Sequence, residues 1–230
     1  ALQLLSRMNE VLEEKVLVRT QEIRDANISA IYMLAVASDA KDKDTGNHIQ
    51  RVRFYSEVLA KRLGFEEFKA EEIGYSSMMH DVGKLAIPDK ILKKPGRLDP
   101  GELDVMRTHA AEGARILGDN TFFETARDIA RCHHEKYDGS GYPEGLLGET
   151  IPIAARIVAV ADIYDALSSK RAYKEAWTQD EVLVEIVNIA GTHLDPKVVD
   201  AFLEIVHDGT VDDIRKRFSD ASFEDEVAQA

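Results

Sequence analysis

"PIAARIVAVADIYDALSS", residues 152–169, is apolar on nearly every side when wound as a helix. A helix of that kind has no solvent face, so it reads as a buried central element with other elements packed round it. One residue disturbs the pattern. Asp162 sits among apolar neighbours, and a carboxylate placed there needs a cation or a metal as partner. Asp165 follows at i+3, on the same side of the helix.

The flanking segments read as the surrounding helices. "HIQRVRFYSEVLAKRLG" carries Ile49, Val52, Phe54, Tyr55, Val58, Leu59 and Leu63 on one broad face and ends at Gly64. "EEFKAEEIGYSSMMH" is a second helix running into His80. "LDPGELDVMRTHAAEGARILG" is expected as one helix, capped by Asp99 with Pro100 at its first position and closed by Gly118. "TFFETARDIARCHH" is another. Two more are expected near the end, capped by Thr178 and Asp195. "GKLAIPDKIL" is either extended or a single helical turn. Few alternating runs suggest strands, so the fold class is all-α.

Upstream, Leu2, Leu5, Asn9, Leu12, Val16, Arg19, Ile23, Ala26, Ala30, Met33 and Ala37 recur in steps of three and four, and nine of these eleven are apolar. This is a heptad seam, with Asn9 at a position where a polar residue sets register. The reading is a long helix over residues 1–40 that pairs two chains as a homodimer, with its later part packing on the domain. It would join the helical domain (41–218) to an upstream sensor or receiver. Residues 219–230 form a tail.

The net charge of −13 argues against long nucleic acid as the partner. No run of about 18 apolar residues could span a membrane. The single cysteine, Cys132, can form no internal disulfide, which fits a reducing compartment and a cytoplasmic location. Cys132 reads as packing.

Five of the seven histidines form a pattern with carboxylates: His48, His80 followed by Asp81, His109, and the adjacent pair His133–His134. Neighbouring side chains on a helix point roughly 100° apart. At a helix end, however, two of them can flank one cavity. Five histidines with Asp81 and Asp162 suit a mixed nitrogen–oxygen site for more than one transition metal. The loop from Glu135 to Pro152 follows directly. Its 18 residues hold four of the 14 glycines and two of the six prolines, and long loops in compact domains are often functional.

"HDVGKLAIPDKIL" together with "HHEKYDGSGYPEGL" resembles the HD-GYP subgroup of the HD phosphohydrolase superfamily, and similar blocks run from Asp44 to Phe202. The resemblance implies a metal set of His48, His80, Asp81 and Asp162, extended by His109, His133 and His134, with Asp81 bridging two metals. Lys84 would contact the bridging oxygen or a phosphate, and Tyr142 and Pro143 would line a purine pocket. Asp165, Arg171 and Lys174, with Lys93 as a weaker candidate, would face phosphate or base groups. Asp44 stands where members with a third metal carry glutamate, so two metals are expected and a third stays open. Iron or manganese would suit the ligands.

The implied activity is hydrolysis of a cyclic dinucleotide, chiefly cyclic di-GMP, to the linear dinucleotide and onward to GMP. A water shared by the metals would attack a ring phosphorus. Lys84, Arg171 or Lys174 would stabilise the phosphoryl charge. Cyclic GMP-AMP is the alternative substrate, and a module that binds without turnover is the alternative role. Five basic residues against one acidic between Lys84 and Arg97 form a local basic island in an acidic chain.

Overall fold

The computed structural model describes residues 2–39, 41, 46–169 and 177–219, and of residues 2–6 and 39 only the backbone. Eleven α-helices are present among them: α1 Leu2–Asp39, α2 Gly46–Arg62, α3 Glu67–Ser77, α4 Asp89–Leu92, α5 Pro100–Arg107, α6 His109–Leu117, α7 Glu124–Cys132, α8 Ile153–Ser168, α9 Gln179–Asn188, α10 Pro196–His207 and α11 Thr210–Arg217. Short 3-10 turns cover Val82–Ala86, Thr121–Phe123 and Gly148–Thr150. Among the described residues the only β pairing is two isolated bridges, Asp138 with Leu147 and Ala190 with Leu194.

Helix α8 is the central element. Ten of its 16 residues are buried. Ile157, Val160, Ala161 and Tyr164 pack against Val52, Tyr55 and Leu59 of α2, Val182 and Ile186 of α9, and Val198 and Phe202 of α10. Each fully buried large apolar side chain contributes roughly 1.5–3 kcal/mol, so this layer outweighs any single polar contact in the domain. The caps agree with the sequence. Asp99 and Thr178 each form a capping box, and the Asp195 carboxylate accepts from the Lys197 amide.

Three elements differ from expectation. The helix expected from Asp99 to Gly118 breaks at Thr108. There the Thr108 hydroxyl donates to Val105 O and His109 Nδ1 bonds Met106 O. Side chains that take carbonyls from the helical ladder weaken it locally. The break starts a new helix, α6, on His109 itself. Helix α3 stops at Ser77, and His80 lies in the turn beyond. Helix α11 follows Gly209, which adopts φ +86°, and no periodic apolar signal marks so short and charged a segment.

Helix α1 runs unbroken, and its second half rests on the domain. The stripe that packs is Ile28, Ile31, Tyr32, Ala35 and Val36, against Met78, Met79 and Val82. The heptad seam lies on another face. Asn9, Leu12, Val16, Arg19, Ile23, Ala26, Ala30, Met33 and Ala37 all stay exposed. One helix thus carries two apolar stripes, one satisfied by its own domain and one left open.

The turn Val82–Ala86 crosses α6 backbone to backbone at Gly83. A Cβ there would lie 1.8 Å from His109 O and 2.5 Å from Gly113 N. Only glycine permits this approach, which brings Asp81 and Lys84 beside His109.

Candidate metal centre

Four helix ends and one helix middle meet at a buried cluster. His48 comes from the first turn of α2, His80 and Asp81 from the turn after α3, and His109 from the start of α6. His133 caps the end of α7 with His134 next to it, and Asp162 projects from α8. Ligand atoms fall into two groups in which all lie within 4.8 Å of one another: Asp81, His109, His133 and His134 in one, His48, His80 and Asp162 in the other. Asp81 stands between them. Its Oδ1 is 3.3 Å from His109 Nε2 and 3.7 Å from His133 Nε2, while its Oδ2 is 3.3 Å from His80 Nε2. That is the placement a bridging carboxylate needs.

The tautomers follow from the outer contacts. His80 Nδ1 faces Ser77 O at 2.8 Å, and His109 Nδ1 faces Met106 O at 2.8 Å. His133 Nδ1 faces Ile129 O and Ala130 O, both at 3.1 Å. His48 Nδ1 meets Asp165 Oδ2 at 2.8 Å. A nitrogen facing a carbonyl or carboxylate oxygen must donate, so in the neutral ring the lone pair is on Nε2, and any second proton is held there. Nε2 of His80, His109 and His133, and Asp81 Oδ1, are buried with no hydrogen-bond partner. Buried polar atoms are rarely left so. Inward lone pairs with outward N–H groups tied to protein oxygens are the arrangement of metal-ligating histidines. The donor set therefore fits divalent transition metals held by nitrogen and oxygen.

The electrostatics point the same way. Burial opposes ionisation of Asp81, but Lys84, His80 and His133 outweigh it and hold the carboxyl well below its usual range. Burial, with His133 adding to it, drives His134 strongly towards the neutral form. Burial also depresses His109, to about 4. His80 differs: burial is outweighed by Asp81 and Asp162, and its pKa rises to about 10. A cation entering beside His80 must displace that proton.

Lys84 Nζ sits 2.8 Å from Asp81 Oδ2 at the rim of the cluster. Tyr142 stacks on His134, with ring centroids 4.8 Å apart, and the Arg107 guanidinium lies 5.3 Å from the centroid of the tyrosine ring. Pro143 is exposed beside it. The loop holding Tyr142 is organised by a residue the sequence reading passed over. Buried Glu135 accepts from the amides of Glu144, at 2.7 Å, and Leu146, at 3.0 Å. Its position directly after His134 was the available signal. Gly141 is needed because a Cβ there would lie 2.2 Å from Lys136 N. Cys132 packs with Ile151 and Ala155, and burial pushes its thiol up to about 12.

Asp165 requires a correction. Expected to face a phosphate or base, it is 1% exposed and turned away from the cavity. It binds His48 Nδ1, and it accepts from Arg51 Nε at 2.6 Å and Arg51 Nη2 at 3.0 Å. Arg51 also donates to Phe218 O at 2.9 Å. The reason lies in register. His48 and Arg51 on α2 are three residues apart, as are Asp162 and Asp165 on α8, and the two pairs face each other. Arg51, unassigned from sequence, is the residue that captures the carboxylate. Lys93 is exposed and paired with Asp89 at 2.9 Å, and among the described residues no contact ties it to the cluster. Asp44, Arg171 and Lys174 lie outside the described residues.

Comparison with known proteins places this geometry. A family model described as HD domain matches residues 33–198. The chain is 45% identical over 185 residues to the 3'3'-cGAMP-specific phosphodiesterase 2 of Vibrio cholerae, covering 80% of this chain and 35% of that protein. It is 42% identical to the cyclic di-GMP phosphodiesterase response regulator RpfG of Xanthomonas campestris, covering 84% of this chain and 51% of the other. The chain thus spans about half or less of the length of these curated relatives. A solved cyclic GMP-AMP-specific phosphodiesterase from V. cholerae superposes with a TM-score of 0.62 over 84% of this chain and 53% of its own. At 19% identity that likeness shows the fold alone.

Proposed function

We propose that this chain, which belongs to the HD domain family, is a metal-dependent phosphodiesterase of the HD-GYP type that opens a cyclic dinucleotide, cyclic di-GMP in the first instance. One observation carries the reading. Buried histidines present unpartnered Nε2 atoms to a shared carboxylate, while their Nδ1 atoms are held by protein oxygens. Asp81, His109, His133 and His134 would hold one metal, and His48, His80 and Asp162 the other, with Asp81 shared. Iron and manganese suit these ligands. When bound, the metals would supply Lewis acidity and lower the pKa of water at the reacting phosphate.

The chain's own residues supply the rest. Lys84 places an ammonium beside Asp81, where it can stabilise charge developing on a phosphoryl oxygen. Tyr142, stacked on His134 with Arg107 close to its ring, would give the base pocket an aromatic wall. Arg171 and Lys174 are proposed to reach the phosphates. The exposed seam of α1 would pair two chains in parallel, and the relative named as a response regulator supports an upstream receiver as the source of input.

The test is incubation of reducing-purified protein with Mn²⁺ or Fe²⁺ and cyclic di-GMP, with products separated by chromatography. Linear dinucleotide and then GMP are expected. Absence of turnover from a protein that carries both metals would overturn the enzyme reading in favour of a binding module. Cyclic GMP-AMP run in parallel decides the substrate by the ratio of kcat/KM. Sedimentation should give twice the 25.7 kDa chain mass, and a monomer that persists at high concentration would remove the dimer.

A further inference from the structure

We infer that Lys41 is a positioning residue, the clamp through which the end of α1 holds the turn carrying Asp81 and Lys84. Its Nζ donates to Ile87 O at 2.8 Å and Leu85 O at 2.9 Å and reaches Lys84 O at 3.5 Å. Three carbonyls of one segment thus converge on a single ammonium, and the Asp89 carboxylate stands 3.4 Å away. Three residues earlier, Ser38 Oγ approaches Asp81 O at 3.4 Å. One side chain in the last turn of α1 and one just beyond the helix therefore act on four carbonyls of a segment more than forty residues downstream.

The chemistry explains why a lysine stands there. Lys84 O already accepts from the Ile87 amide, but carbonyls at the end of a helical turn are in general short of partners, and a cation satisfies both their hydrogen bonding and their dipole. The turn Val82–Ala86 is held on its other side by the backbone contact of Gly83 with α6. Lys41 closes the open side. The packed stripe of α1 abuts Met78 and Met79, which immediately precede His80. A shift or rotation of α1 is thereby passed to Asp81 and Lys84 by packing on one flank and by Lys41 on the other. The exposed seam reaches Ala37, two residues before the helix ends at Asp39 and four before Lys41, so the face offered to a second chain lies close in sequence to the contact with the site. The functional consequence rests on the proposed phosphodiesterase reading, whereas the clamp itself does not.

The test compares the unchanged protein with Lys41→Met and Lys41→Arg. Amide hydrogen exchange is read over residues 82–88 without metal, and kinetics with Mn²⁺ and cyclic di-GMP follow. In Lys41→Met, the amides of Lys84 and Ile87, which bond Asp81 O and Lys84 O, should exchange about tenfold faster. Exchange in α8 and α10 should stay unchanged. Lys41→Arg, which keeps the charge and the donors, should restore the protection. The kcat should fall in Lys41→Met with KM little altered, and should recover in Lys41→Arg. Unchanged exchange over 82–88, faster exchange spread through α8 and α10, no rescue by arginine, or faster exchange with unchanged kcat would each overturn the proposal. If the unchanged protein hydrolyses nothing, the functional reading falls while exchange still decides the clamp.

Discussion

Asp81→Asn is expected to lose metal and hydrolysis together, with turnover down by on the order of 10³ or more. Asparagine keeps the size and one oxygen but not the charge. Among the described residues Asp81 is the carboxylate that faces both ligand groups, through Oδ1 to His109 and His133 and through Oδ2 to His80. An amide NH₂ in either place would be aimed at a nitrogen lone pair or at the Lys84 ammonium, which sits 2.8 Å from Oδ2. Without the negative charge, two dications would be brought together with, among the described residues of the cluster, Asp162 alone to offset them. The fold should survive, because α8 and its apolar neighbours do not depend on this residue. The measurements are metal content per chain by elemental analysis, far-ultraviolet circular dichroism, and turnover. A folded variant that kept two metals and turned over within about tenfold of the parent would rule out Asp81 as the bridge.

Asp165→Asn separates two roles for that residue. If Asp165 holds His48 in place, metal affinity and kcat should drop about 10–100-fold, the range typical of partners behind metal-ligating histidines. If it touched substrate, KM would rise while metal content stayed intact. The structure predicts the first outcome. Burial works against the charged form of both groups, yet each stabilises the other's charge: the carboxyl pKa is lowered by His48 and Arg51, and the His48 pKa is raised by Asp165 and Asp162. Asp165→Ala should go further. It would leave the Arg51 guanidinium, 5% exposed, without its carboxylate, and breaking a buried pair in this way costs about 3–5 kcal/mol. Urea denaturation should show that loss. A combined Arg51→Met, Asp165→Leu variant should regain much of the stability but not the metal affinity, since His48 would still lack its acceptor. Full metal affinity in that double variant would show that His48 needs no such partner.

The site was legible to different depths. His80–Asp81 and His133–His134 were readable because adjacent residues stay adjacent after folding and both pairs lie just past a helix end. Capping was readable at Asp99, Thr178 and Asp195 for the same reason, since each acts within three residues of itself. Asp165 was misread because i+3 spacing from Asp162 says only that two side chains share a flank, not what faces them. Glu135 and Arg51 passed unnoticed because a charged residue in a polar segment looks solvated until its burial is known.

The sequence by itself determined the all-α class, the central place of the 152–169 helix, the caps, and the histidine and carboxylate residue types that the fold gathers into one cluster. These depend on periodicity and on contacts a few residues apart, which local physics settles. Only the tertiary structure decided that α2 and α8 meet in a register pairing His48 with Asp162 and Arg51 with Asp165. It also decided that α1 seats on the domain by one stripe while exposing another, and that Lys41 reaches the carbonyls behind Asp81. Each of those contacts joins residues tens of positions apart, and the packing of whole helices, not any local preference, chooses which faces meet.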